Sequence, residues 1–117
     1  MRLGNAIAAA GLMVLALGSG GSVAAEYPSN RLITDIGCHH VNAICYVTLD
    51  GGTLGSSLGC PVAPTSEFRF DDGDTAIGRR TYASLLAAFL AKKHVSFMVD
   101  GCTVQGYPKL TYFHVTE

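Results

Sequence analysis

The chain has 117 residues, with 8 Lys and Arg set against 9 Asp and Glu for a net charge of −1. It has no basic stripe of the kind that neutralises a phosphate backbone, so nucleic acid is not an expected partner. Long runs of one charge, low-complexity tails and internal repeats are also missing from the sequence.

The N-terminal stretch stands apart. Met1-Arg2 supplies a short positive start, Ala6 to Leu17 an apolar core, and Ser22-Val23-Ala24-Ala25 a cleavage site of small residues. This layout predicts a secretory signal peptide over residues 1–25 and a chain that is secreted or periplasmic. The apolar core is well short of the roughly 20 residues needed to span a bilayer, so no stable membrane anchor is expected. The mature chain then starts near Glu26 and forms one domain over residues 26–117.

A domain of that size buries little apolar surface and gains from covalent staples. Cys38, Cys45, Cys60 and Cys102 all follow the cleavage site, and an even count in an exported chain reads as two disulfides. Of the three pairings open to four cysteines, Cys38–Cys45 across a hairpin with Cys60–Cys102 as a long-range staple is favoured. A zinc site fits poorly: C-x-x-C is absent, and the adjacent His39-His40 is a poor geometric match for two ligands.

Along the mature chain, Glu26 to Asn30 is a polar leader. Arg31 to Ile36 reads as the first strand, with Leu32, Thr34 and Ile36 on one face. Ala43 to Leu49 is a β-branched and aromatic second strand. Asp50-Gly51-Gly52 and Gly55 to Gly59 predict a mobile loop ending at Cys60-Pro61. Glu67 to Phe70 is a short third strand with Phe68 and Phe70 on one face. Asp71-Asp72-Gly73-Asp74 lacks the calcium-loop ligand pattern and reads as a helix-capping turn.

Asp74 or Thr75 can cap the helix that follows. Tyr82, Leu85, Leu86, Phe89 and Leu90 recur at one-face helical spacing and are the expected buried stripe. Lys92, Lys93 and His94 stand at the far end, where cations complement the helix dipole. The period then switches to two over His94 to Asp100, the fourth strand, and Lys109 to Thr116 is the fifth. The fold class is therefore mainly β with one helix. The order β-β-β-α-β-β is that of an OB-type five-stranded Greek-key barrel, with the helix as its plug.

The pattern Tyr82-Ala83-x-Leu85-Leu86-x-Ala88, then Lys93-His94-Val95, a strand and Tyr107-Pro108, resembles the B subunits of subtilase cytotoxin and pertussis-like AB5 toxins. It is also similar to a broad set of small exported bacterial proteins of the same layout. The resemblance covers roughly Arg31 to Val115 and implies an OB fold, a homo-oligomeric ring and glycan recognition. The cysteines before the third strand and after the fourth recur in that set, which supports Cys60–Cys102. The toxins' sugar-contacting residues match no motif here, and none is carried over.

Catalytic chemistry is not expected. His94, His114, Ser96 and Asp100 invite a Ser–His–Asp reading, but no nucleophile elbow accompanies them. Oxidised cysteines leave no thiol nucleophile, and no cofactor or metal is implied. Arg79 and Arg80 read as a solvated helix end. Tyr27, Tyr46, Tyr107 and Tyr112 could stack on sugar rings. Tyr107, in a loop, leads these candidates, with Tyr46 second. The expected function is a non-enzymatic binding module for a glycan or protein receptor. The alternative is an envelope interaction module or enzyme inhibitor that probes with the glycine-rich loop after Asp50.

Overall fold

The structure is a computed structural model that describes residues 23–117. In chain order it contains β1 (Ile33–Cys38), β2 (Cys45–Leu49), β3 (Glu67–Phe70), α1 (Ala76–Ala91), β4 (His94–Cys102) and β5 (Pro108–Thr116). The element order is the expected one. The expected signal peptide lies outside the described residues as far as residue 22.

The strands form one mixed sheet in the order β1-β2-β3-β5-β4. β1, β2 and β3 make an antiparallel meander. β3 meets β5 in parallel at Arg69↔Lys109, and β4 pairs antiparallel with β5. Contrary to the closed barrel expected, no ladder joins the edge strands β1 and β4. The chain before β1 runs beside β4 without forming a ladder: it makes isolated bridges at Glu26–Val99 and Arg31–Val95, and the Phe97 N–H donates to the Pro28 carbonyl at 2.9 Å. Continuous pairing fails there for local reasons: Pro28 has no N–H to donate, and Asn30 sits in the left-handed region at φ 54°.

Alternation decides what is inside. Cys45, Val47 and Leu49 of β2, Phe68 and Phe70 of β3, and Val95, Phe97 and Val99 of β4 are buried, and they meet Leu85 and Ala88 of α1 in one core. The rings of Phe68 and Phe97 pack at 4.8 Å between centroids. β1 departs from the expected face. A register irregularity between Ile33 and Asp35 turns Ile33 inward as a buried residue, while Thr34 is exposed.

Thr75 caps α1 by accepting a hydrogen bond from the Gly78 N–H at 3.0 Å. The buried stripe is rotated from the expected one: Gly78, Leu85 and Ala88 are inside, Tyr82, Leu86 and Phe89 are half-buried, and Leu90 is 72% exposed. A Cβ on Gly78 would stand 1.8 Å from the Asp72 carbonyl oxygen, so the capping turn folds directly against the first turn of the helix at a position that only glycine fits.

Disulfides join Cys38 to Cys45 and Cys60 to Cys102, which suits an oxidising, exported environment. Among the described residues no helix is long and apolar enough to cross a membrane.

Candidate functional site

The outward positions of β2 and β3 carry the chemistry. Period-two alternation that sends Val47 and Phe68 inward sends Tyr46 and Arg69 outward as cross-strand partners, with Glu67 two residues before Arg69. On β1 the partner of Tyr46 is Gly37. A Cβ at Gly37 would fall 2.5 Å from the Tyr46 hydroxyl oxygen, so the tyrosine ring lies across the glycine and uses its missing side chain as a seat. The parallel register Arg69↔Lys109 then lays Tyr107, two residues before Lys109, beside the same outward row.

Arg69 is the hub. Its guanidinium carbon stands 3.6 Å from the centroid of the Tyr107 ring and 5.7 Å from that of Tyr46, within the range of cation–π attraction. Nε donates to Glu67 Oε2 at 2.9 Å, Nη2 stands in ion-pair contact with the same oxygen at 2.9 Å, and Nη1 donates to Gln105 Oε1. The Arg69 side chain is only 12% exposed. The His39 ring lies 6.0 Å from the Tyr46 ring and extends the aromatic row toward the β1–β2 turn.

The loop that presents Tyr107 is tightly held. The buried Thr103 donates its N–H to the Tyr107 carbonyl at 2.8 Å and accepts the Tyr107 N–H at its Oγ1 at 3.2 Å. Val62 donates to the Gly106 carbonyl at 3.0 Å, and Cys102, at the head of the loop, is bonded to Cys60. The two tyrosines singled out from sequence are thus brought together. Arg69, Glu67, Gln105 and Gly37 were missed. The outward parity of Glu67 and Arg69 in EFRF was the available signal.

A second aromatic pair borders a groove of about 390 Å³ floored by Phe97 and Ser96. Its walls are Tyr27 at 72% and Tyr112 at 56% exposure, with the His114 ring 5.8 Å from that of Tyr112. Ser96 and His114 face each other across β4 and β5. Ser96 Oγ accepts the Asn30 N–H at 3.0 Å, and Asp100 lies four residues along β4, roughly 13 Å away at strand rise. The residues of the Ser–His–Asp reading therefore do not converge. Arg79 and Arg80 are exposed on α1.

The glycine-rich loop is pinned, contrary to the mobility expected of it. Leu54 and Leu58 are buried, and Leu54 exchanges both backbone hydrogen bonds with Thr65. The Glu26 carboxylate accepts from the Gly55 N–H, the Ser57 N–H and the Ser57 hydroxyl at 2.8, 2.8 and 2.6 Å. Partial burial pushes that carboxyl up, but the hydrogen bonds from Ser57 and Gly55 outweigh it and hold Glu26 below the usual carboxylate range. No protein-family model and no curated protein matches the chain.

Proposed function

We propose that the protein is an exported, non-enzymatic binding module of the OB type that recognises a glycan on the outer face of β2 and β3. The observation that carries this reading is the Tyr46–Arg69–Tyr107 cluster with Glu67 and Gln105 at its edge. Flat aromatic faces beside fixed charged and amide groups suit a sugar, whose C–H faces stack while its hydroxyls accept and donate. OB folds bind oligosaccharides or oligonucleotides on this strand 2–3 face and its neighbouring loops. A net charge of −1 turns the choice toward sugar.

The chain-order pattern of strands and helix, and the bridges from Glu26 and Arg31 to β4, favour the OB reading. The resemblance to AB5 toxin B subunits adds assembly into a ring and export through a signal peptide to the proposal. A glycan array probed with the purified mature chain, alongside Tyr107→Ala and Arg69→Ala, tests it. Wild type should bind a discrete group of glycans, and each variant should lose about tenfold or more, the loss of roughly 1.4 kcal/mol from one aromatic or charged contact. An array with no binding across it would refute the glycan reading. Sedimentation showing a monomer at micromolar concentration would refute the ring.

A further inference from the structure

A third concavity lies apart from both aromatic surfaces, between the C-terminal turns of α1 and the start of β1. It encloses about 440 Å³, within the roughly 300–1,000 Å³ of small-molecule sites. Its walls are apolar: Leu32 and Ile33 on one side, Ala88, Phe89 and Leu90 on the other. Leu90 is 72% exposed there, a large aliphatic side chain left facing water beside a groove.

Lys92 and Lys93 also line the groove, and neither has an ion-pair partner among the described residues. Lys92 is the C-cap of α1 and is held left-handed at φ 54°, ψ 43°. That conformation closes the helix by bonding the last-turn carbonyls of Ala88 and Phe89, and it fixes where the Lys92 side chain leaves the helix end. The one carboxylate on the lining, Asp50, is already engaged by the Leu32 N–H at 2.7 Å. Two cations against one occupied anion leave this lining with positive charge to spare.

We propose that this groove binds a free fatty-acid-like carboxylate, its hydrocarbon chain between α1 and β1 and its headgroup at Lys92 and Lys93. A neutral hydrophobe would gain nothing from the two lysines, and an alkylammonium would be repelled by them. The inference is independent of glycan recognition, since it shares no residue with the β2–β3 face.

Isothermal titration of the purified chain tests it, using octanoate, decanoate and dodecanoate below their micelle concentrations, with dodecanol and dodecyltrimethylammonium as headgroup controls. Affinity should rise about fourfold per added methylene until the groove is full, as burial of one CH₂ group requires. Dodecanoate should bind at least tenfold tighter than either control. Leu90→Asp, at an exposed position, should abolish binding without changing the melting temperature by more than a few degrees. Lys92→Gly with Lys93→Gln keeps the helix end favourable and should weaken dodecanoate about tenfold while leaving dodecanol unchanged. Equal affinity for all three headgroups, no dependence on chain length, or no saturable binding would overturn the proposal. So would a dimer in sedimentation that Leu90→Asp dissociates, because the groove would then belong to a second copy of the chain.

Discussion

Gly78→Ala sets two physical effects of opposite sign against each other. Helix propensity alone favours alanine over glycine by about 1 kcal/mol in a helix interior. The structure argues the reverse, because the new Cβ would stand 1.8 Å from the Asp72 oxygen and 2.5 Å from the Asp72 carbon. Unbonded heavy atoms settle at about 3.5–4 Å, so the overlap exceeds 1 Å and falls on backbone that no rotamer change can move aside. That carbonyl is also in use: it accepts the Thr75 N–H at 2.9 Å and the Thr75 hydroxyl at 2.7 Å. Displacing it loosens the turn and the residue that caps α1. Overpacking costs about 1–3 kcal/mol, a weakened cap about 1 and a strained turn hydrogen bond about 1. Set against the propensity gain, the net is a loss of about 2–4 kcal/mol. At 4–8 °C per kcal/mol for a domain of this size, the melting temperature should fall by roughly 10–30 °C. Circular dichroism melts and urea titration measure this directly, with Ala87→Gly on the exposed helix face giving the propensity scale within the same protein. A Gly78→Ala variant that melts at or above wild type would refute the close approach of the capping turn to the helix.

Other perturbations probe the staples, the site and the N-terminal clamp. Removing the Cys60–Cys102 bond by double alanine substitution opens a separation of 42 residues, against 7 for Cys38–Cys45. Loop-closure entropy then gives losses of about 4 and about 2.4 kcal/mol, and equal thermal shifts for the two pairs would contradict that ordering. Gly37→Ala should leave stability within about 1 kcal/mol, because alanine suits a strand better while the clash falls on the far end of the Tyr46 side chain. It should nonetheless unseat the Tyr46 ring and weaken ligand binding about tenfold, so unchanged binding would remove Tyr46 from the site. Glu26 has its carboxyl lowered in the folded state, so its contribution is complete above the unfolded value and is lost as pH falls through the folded one. Wild type should therefore melt above Glu26→Gln at neutral pH, and the gap should close below roughly pH 4. A gap that widens on acidification would contradict the clamp.

Much of the fold could be read from local chemistry. Thr75 caps the helix because its hydroxyl can serve an early N–H, and EFRF alternates because strands do. What sequence could not supply was how closely elements approach. Leu90 belonged to the expected apolar stripe, but the buried face holds Gly78, Leu85 and Ala88, two of them too small to register as a hydrophobic signal. In β1 the irregularity near Thr34 breaks the parity on which a face assignment rests. The glycine-rich loop looked mobile from composition, yet Glu26, distant in sequence, supplies the carboxylate that fixes it. At the site, Tyr46 and Tyr107 were legible as residue types in suitable places. Arg69 as their hub was not, because it depends on the parallel meeting of β3 and β5 at a single register pair.

The way Arg69 is held also bears on what kind of sugar this face would take. A guanidinium carries five N–H donors, and two are committed by hydrogen bonds, one to Glu67 and one to Gln105, with Nη2 also in ion-pair contact with Glu67. A ligand carboxylate would compete with Glu67 for the same fork and would meet the repulsion of its charge at short range. A hydroxyl can instead accept from one of the remaining N–H groups and donate to Glu67, leaving the existing ion pair intact. Thr103, Gly106 and the Cys60–Cys102 bond hold Tyr107 in place, so such a ligand orders little of the protein when it binds. On these grounds the β2–β3 face should prefer neutral over acidic sugars. Arg69→Lys should be a poor replacement, because an ammonium can neither lie flat on Tyr107 nor hold Glu67 and Gln105 in one plane. On the array, neutral glycans should therefore dominate the bound set. A set made up mainly of sialylated or uronic-acid glycans would contradict the role given to Glu67 and would require Arg69 to release its own carboxylate on binding.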